Sequence, residues 1–295
     1  MEVLQDVIFG VGTTIKQCQN VSMSNNIDLY IGRDSGDVDP ALTAVMKAEP
    51  RATIASMDIP GLISTFGVTA GATVTAGTVS LPFQKRADGS TFAGILSHFT
   101  VTGANAYGFV SQFSATQDGN ATGTAEIGFK STTGLASPLT SATGQTLSAS
   151  TYDSAYTLGP AKIDGTQVPE ITGITVTTGL TVEAKYFDGS AFPKKYAITS
   201  RDPVIELTVA DFDSIDTYGP LSITNNSQDV VAYFRKLSDG STRVADATAE
   251  HVAFRLSNGI ITVEEYSAQD QSDGSATIKI TGKALAASST SAISL

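Results

Sequence analysis

One stretch occurs twice in this chain, and any fold must accommodate that. Residues 78–91 read TVSLPFQKRADGST and residues 229–242 read DVVAYFRKLSDGST; without gaps they agree at seven of fourteen positions. Ordinary composition gives about one chance match over that length. The shared residues are Val79 and Val230, Phe83 and Phe234, Lys85 and Lys236, and the runs Asp88-Gly89-Ser90-Thr91 and Asp239-Gly240-Ser241-Thr242. A repeat at this period makes a doubled unit the first hypothesis about the fold, and 295 residues leave room for two units that each bury a core.

Further anchors extend the repeat. Pro40 and Pro50 are matched by Pro193 and Pro203, Asp58 by Asp211, His98 by His251, and Phe113-Ser114 by Tyr266-Ser267, each pair 153 residues apart. Around the Asp-Gly runs the spacing is 151, so the copies differ by small loop insertions or deletions. The repeated unit covers 21–130 and 172–283. It leaves a lead-in (1–20), a Ser/Thr/Gly-rich linker or arm (131–171) and a C-terminal tail (284–295).

Within each copy, short alternating apolar runs are broken by Gly, Pro, Asn and Asp, the pattern of strands and turns. Ile27, Leu29 and Ile31 fall on one face of a strand that ends in the turn residues Gly32 to Gly36. ALTAVMKA, 41–48, reads as helical turns or an extended segment. Its counterpart KKYAITS, 194–200, favours a strand through Tyr196, Ile198 and Thr199. After Asp58 and Asp211, IPGLISTFG and FDSIDTYG read as a short helix capped by the acid and stopped by Gly67 or Gly219. The Asp-Gly runs are hairpin turns. The expected fold is mainly β: two tandem sandwich or small-barrel domains, each with six to eight short strands and one short helix.

Between the copies, residues 131–160 carry one charge, Asp153, and are more apolar than a free linker needs, through Leu135, Leu139, Leu147, Tyr152, Tyr156 and Leu158. The expectation is an extended arm laid across a neighbour rather than a flexible tether.

Charge excludes a function class. Lys+Arg is 18 against Asp+Glu 29, a net charge of −11, with no basic run; a protein that grips phosphate backbones shows the reverse. Acidic balance does suit a surface that lies beside DNA without adhering to it. The N-terminus carries acids where a secretion signal needs Lys or Arg, and no apolar run reaches membrane-spanning length, so the expectation is a protein made and used without Sec export. The sequons at Asn20, Asn120 and Asn225 then reflect Ser/Thr abundance.

No catalytic constellation emerges. Cys18 is the single cysteine, which allows neither a disulfide framework nor a thiolate metal site. His98 and His251 have no second His or Cys at ligand spacing and read as structural imidazoles. The serine of Gly32-Arg33-Asp34-Ser35-Gly36 is displaced from a nucleophile elbow. Asp34, Asp37 and Asp39 cluster as calcium ligands do, but without a closing bidentate Glu, and read as a solvated turn. Glu264 and Glu265 are expected on opposite strand faces, against paired-carboxylate chemistry. The glycines and lysine of 9–16 lack P-loop spacing, and without Trp there is no stacking platform. Neither cofactor nor metal is expected, and no enzymatic activity.

The order of elements in each copy, with the matched anchors Pro50, Asp58 and Gly67 against Pro203, Asp211 and Gly219, resembles the major tail tube proteins of long-tailed bacteriophages and, more distantly, the tubes of contractile injection systems. That resemblance implies sheets joined edge to edge around a ring and rings stacked into a hollow tube. With two fused copies, three chains would make a pseudo-hexameric ring. The implied partners are further copies of the chain and other tail or neck proteins, with DNA as non-specific cargo and no membrane. The implied location is the virion, after synthesis in the host cytoplasm. The lead-in, arm and tail would bridge rings, and the Asp88-Gly89 and Asp239-Gly240 turns would project toward the next ring or the lumen. Two other expectations stand beside it: a capsid decoration or other virion protein, and an adhesive or glycan-binding surface module.

Overall fold

The computed structural model describes residues 2–4, 6–10, 13–36, 38–68, 75–87, 91–92, 98–145, 154–210, 228–238, 242–267 and 274–294. The first half runs β1 (Glu2–Leu4), β2 (Val7–Phe9), β3 (Thr13–Ile15), β4 (Cys18–Ser24), β5 (Ile27–Gly32), β6 (Leu42–Ala48), β7 (Arg51–Ser56), helix α1 (Ile59–Phe66), β8 (Thr75–Ala87), β9 (Thr91–Phe92), β10 (His98–Thr116), β11 (Thr122–Phe129) and β12 (Leu139–Gln145). The second runs β13 (Ala155–Ile163), β14 (Thr166–Val168), β15 (Ile171–Thr177), β16 (Leu180–Lys185), β17 (Lys195–Arg201), β18 (Val204–Val209), β19 (Gln228–Ser238), β20 (Thr242–Arg243), β21 (His251–Ser267), β22 (Ser275–Thr281) and β23 (Ala284–Ser291). The fold is mainly β, as the sequence indicates.

Both halves use one pairing pattern. In the first, β7 lies between β4 and β11, β11 pairs with the later part of β10, and the earlier part of β10 lies between β8 and β12. In the second, β18, β15, β22, β21, β19 and β23 repeat these relations. The register repeats too. Ile54 opposes Val21 and Ala125 as Leu207 opposes Ile174 and Ile278, every member 153 residues on. Leu81 opposes Val101 as Ala232 opposes Phe254, with β19 displaced by 151. Even the bulges coincide, at Val110/Gln112 and Val263/Glu265.

Two long strands depart from the short ones expected. β10 and β21 each serve two sheets, and the irregularities in their registers are where a strand bends and twists from one layer into the other. One layer reads β4-β7-β11-β10-β15-β18-β22-β21, antiparallel throughout. Its strands alternate: Ile205, Leu207 and Val209 point into the core and their neighbours outward. The other layer is formed by β12, the earlier part of β10, β8 and β1/β2, and by β23, β21, β19 and β13.

Between the layers lies one apolar cluster to which both halves contribute. Phe113 of the first half meets Phe254 of the second, ring centroids 4.8 Å apart, and Phe254 meets Phe234 at 5.1 Å. The halves are therefore fused into one core. Helix α1 buries Ile59, Leu62 and Phe66. Asp58 caps it, accepting from Gly61 N at 2.9 Å and, through its other oxygen, from Lys16 N at 3.0 Å. Gly67 ends it at φ 68°, its amide donating to Ile63 O at 2.8 Å. The corresponding segment, including Asp211 and Gly219, lies outside the described residues.

Three segments set aside as lead-in, arm and tail contribute to the sheets. Val7, Phe9 and Ile15 are fully buried, β13 places Ala155, Tyr156, Leu158, Ala161 and Ile163 in the core beside β19, and β23 buries Leu285. Of residues 131–160, expected as an arm across a neighbour, the exposed strand β12 pairs with β10 of its own chain. The 41–48 segment is extended, as β6.

Candidate functional site

Several of the groups that carry chemistry elsewhere have partners within the fold. His251 accepts from Lys236 N at 3.1 Å through Nδ1, leaving Nε2 to donate to Ala245 O at 3.1 Å. His98 is buried at the equivalent bulge of β10. Cys18 contacts Ile15 O at 3.6 Å, and burial pushes its thiol up to about 12. Among the described residues no three His, Cys, Asp or Glu side chains converge, and Asp37 lies outside them. Lys236 pairs with Glu250 at 2.7 Å, which raises the lysine and lowers the carboxylate from their ordinary values. Arg235 forks onto Asp246 at 3.1 and 2.8 Å.

The repeated framework residues make equivalent contacts where they are described. Pro50 O accepts from Phe129 N, and Pro203 O from Gly282 N, both at 3.1 Å. Of the two Asp-Gly-Ser-Thr runs, only Thr91 and Thr242 are described, each opening a two-residue strand that pairs back onto β8 or β19. Asp88, Gly89, Ser90, Asp239, Gly240 and Ser241 lie outside the described residues.

What the geometry does single out is a joint and its counterpart. The later part of β10 pairs with β15 from Gln112↔Thr177 to Thr116↔Gly173, which makes the two halves one continuous sheet. Gln117 N donates to Thr172 O at 2.9 Å and Thr178 N to Ser111 O at 3.0 Å, extending the joint at both ends, and the fully buried Thr178 hydroxyl donates to Val110 O at 2.6 Å. The strands equivalent to these two at the sheet's outer ends are β21 and β4. Among the described residues the later part of β21 pairs only with β22, and β4 only with β7. The sheet thus ends in two edges that are the equivalents of the two strands joined at its middle.

A second contact between the halves accompanies the joint. Among the described residues the hairpin β16-β17 pairs only with itself, and it lies over the outward face of the first half's sheet. Tyr196 stacks on Tyr107 with centroids 5.3 Å apart and planes 18° from parallel. Its hydroxyl donates to Phe129 O at 3.4 Å, and Tyr107 Oη donates to Tyr196 O at 3.4 Å. Ser131 N donates to Pro193 O at 2.8 Å, Phe192 N to Gly134 O at 3.0 Å and Ala48 N to Ala191 O at 2.7 Å. Burial raises Tyr196 well above the usual tyrosine range, with the Glu49 charge adding to the shift, and the same causes push Tyr186 up to about 12.

Away from that hairpin the outward face of the long sheet carries Asn20, Ser22, Ser114, Thr124, Thr175, Thr208 and Thr277. Among the described residues the chain's acidity is not concentrated there; Glu206 and Lys279, which are direct partners, bring opposite charges to it.

Sequence reasoning located the repeat that makes the joint and the edges equivalent, but not the edges themselves. The chain matches no protein-family model and no curated protein.

Proposed function

We propose that the chain is a structural, non-enzymatic subunit that assembles head to tail through its sheet edges, three copies closing a pseudo-hexameric ring and rings stacking into a tube of the kind bacteriophage tails use to deliver DNA. The observation that carries this is the β10-β15 joint, because the edge of β21 and the edge of β4 are its equivalents. A heterologous contact of that kind closes into a ring when its rotation permits, and pairing the edges removes the exposed backbone groups that otherwise invite aggregation. Shifted by 153 residues, the pairs Phe113↔Val176 and Ser114↔Thr175 become Tyr266 with Met23 and Ser267 with Ser22. Apolar faces apolar, and hydroxyl faces hydroxyl.

Eight strands per chain and three chains make a barrel of roughly 115 Å circumference at ~4.8 Å per strand, hence roughly 37 Å across at the backbone before strand tilt widens it. That is wide enough to pass a nucleic-acid duplex as non-specific cargo. Small hydroxyl and amide side chains with the opposed charges of Glu206 and Lys279, rather than an acidic lining, then form the described part of the wall, and a wall without a basic field does not hold the polyanion. The natural partners are copies of the chain and the proteins that terminate a tail, and the natural location is the virion.

Negative-stain electron microscopy of concentrated protein, with sedimentation velocity on the same sample, tests this. Tubes or three-copy rings are expected. Isolated trimers that never stack point instead to a decoration protein on a capsid, and a monodisperse monomer that binds glycans points to a surface module; either outcome refutes the tube.

A further inference from the structure

The hairpin β5-β6 is the first half's counterpart of β16-β17. The two share one register, Leu29↔Val45 matching Val182↔Ile198, and both carry a bulge at the same place, Asp28/Leu29 and Thr181/Val182. Their surroundings differ. In β16-β17 the face bearing Val182 and Tyr196 lies on the first half, and Tyr196 is 4% exposed. The same face of β5-β6 bears Ile27, Leu29, Ile31 and Val45, which are 51, 61, 54 and 51% exposed. Four apolar side chains side by side in water on a strand pair mark an interaction surface.

We infer that this hairpin docks on the second half of a second copy of the chain, as β16-β17 docks on the first half of its own. The occupant follows from the repeat. Shifted by 153 residues, the receiving positions Tyr107, Arg51 and Gly128 become Ile260, Val204 and Thr281. Ile260 is 50% exposed, Thr281 is exposed and Val204 half-buried, so an apolar landing site stands open where the first half's is covered.

Sizes compensate across the contact. A Cβ on Gly128 would lie 2.6 Å from Tyr196 Cζ, so the large ring requires a glycine beneath it. The shifted pair is Thr281 beneath Thr43, in which a larger receiver meets a smaller knob. The inference rests on the head-to-tail reading above and adds a second, side-chain contact to its backbone pairing. It also predicts that Val38, equivalent to Ala191, meets the neighbour's Arg201 as Ala191 O meets Ala48 N within the chain.

Variants of the full-length chain that each add one cysteine to the native Cys18 test it. Thr43→Cys and Ile260→Cys are mixed and treated with a short bismaleimide; Ser22→Cys and Ser267→Cys are treated likewise to report the edge pairing. Both docking positions are exposed, and unchanged urea midpoints verify folding. The unmodified chain with Cys18 supplies the background. A covalent dimer from the mixture of Thr43→Cys with Ile260→Cys, and none from either alone, is the expected result. Cross-linking of the edge pair without the hairpin pair overturns the hairpin contact and leaves the ring intact. Failure of both pairs in a protein that sediments as a monomer overturns the ring itself. A dimer from Thr43→Cys alone would mean that hairpins pack on each other, which also overturns the docking.

Discussion

Truncating Tyr196 to alanine should release one hairpin and leave the sheets standing. The ring is almost fully buried, stacks on Tyr107 and ties its hydroxyl to Phe129 O. The stack is worth about 0.5–1.5 kcal/mol beyond its area and the hydrogen bond about 1 kcal/mol, and removing a buried aromatic side chain costs about 3–5 kcal/mol in all. What remains to hold the hairpin is a few backbone bonds, from Ser131 N, Phe192 N and Ala48 N, the Tyr107 hydroxyl on the backbone carbonyl of residue 196, and the guanidinium of Arg201 on Val68 O and Leu285 O. An isolated two-stranded hairpin is marginal in water. The opening free energy of 180–201 should therefore fall by about 3 kcal/mol or more, which raises amide exchange there roughly a hundredfold. Exchange in β18 and β22 should hardly change. Tyr196→Phe, losing only the hydroxyl, should raise exchange about fivefold. Hydrogen exchange read peptide by peptide decides the matter. Wild-type rates across 180–201, or an equal rise everywhere, would refute local docking and make Tyr196 an ordinary core residue.

Four further outcomes are expected. Folded-state tyrosine values raised by burial at Tyr196, Tyr107 and Tyr186 mean that above pH ~10 the unfolded chain loses protons that the folded chain keeps. Stability is thus intact below pH 10 and falls above it; urea midpoints from pH 8 to 11 should show the drop, Tyr196→Phe should shrink it, and a flat profile would count against the burial. Asp58→Ala loses the helix cap and orphans Lys16 N, a cost of about 2–3 kcal/mol, which a urea midpoint unchanged from wild type would contradict. Replacing the exposed β12 with a Gly/Ser linker should keep the far-ultraviolet circular dichroism of the folded chain, whereas excising 155–163 should abolish it, since that segment buries five core side chains. With its thiol near 12, Cys18 holds a thiolate fraction on the order of 10⁻⁴ at pH 8, so a disulfide reagent should label it only in urea; fast labelling of the folded chain would show it to be open.

The repeat was legible because registry survives where side chains drift. The offsets of 153 and 151 read from Pro50, His98 and the Asp-Gly runs are those of the strand pairs. The first helix was legible because its cap and stop residues, Asp58 and Gly67, act locally. Segments that depend on a distant partner were not. β2 and β3 are three residues each, too short for alternation to show. β13 contains Gly159-Pro160, which reads as a breaker. In the structure these two residues fall at the register shift between Leu158 and Ala161, where a Cβ on Gly159 would come 2.3 Å from Tyr233 O, so the pair marks a bulge pressed against β19 and not an end. The candidate site was least legible of all, because a sheet edge has no residue signature. It is defined by which strands stay unpaired.

The two halves also differ in a way their common pairing pattern does not require. Within the chain, covalent linkage holds the β10-β15 joint at high effective concentration, and the docking face of β16-β17 offers Leu180, Val182, Ala184 and Ile198 around one buried tyrosine. Between chains the same contact must overcome the lost freedom of two bodies. The docking face of β5-β6 instead carries Ile27, Leu29 and Ile31 along β5 with Val45 beside them on β6, and Thr43 stands where the tyrosine would be. Such a face is a liability in a chain that stays single and an advantage in one that joins its copies. On the proposed reading the unequal halves therefore follow from one requirement: the contact made once within each chain and once between chains must hold in both places, with linkage and a buried tyrosine serving in one and the exposed aliphatic side chains of β5-β6 in the other.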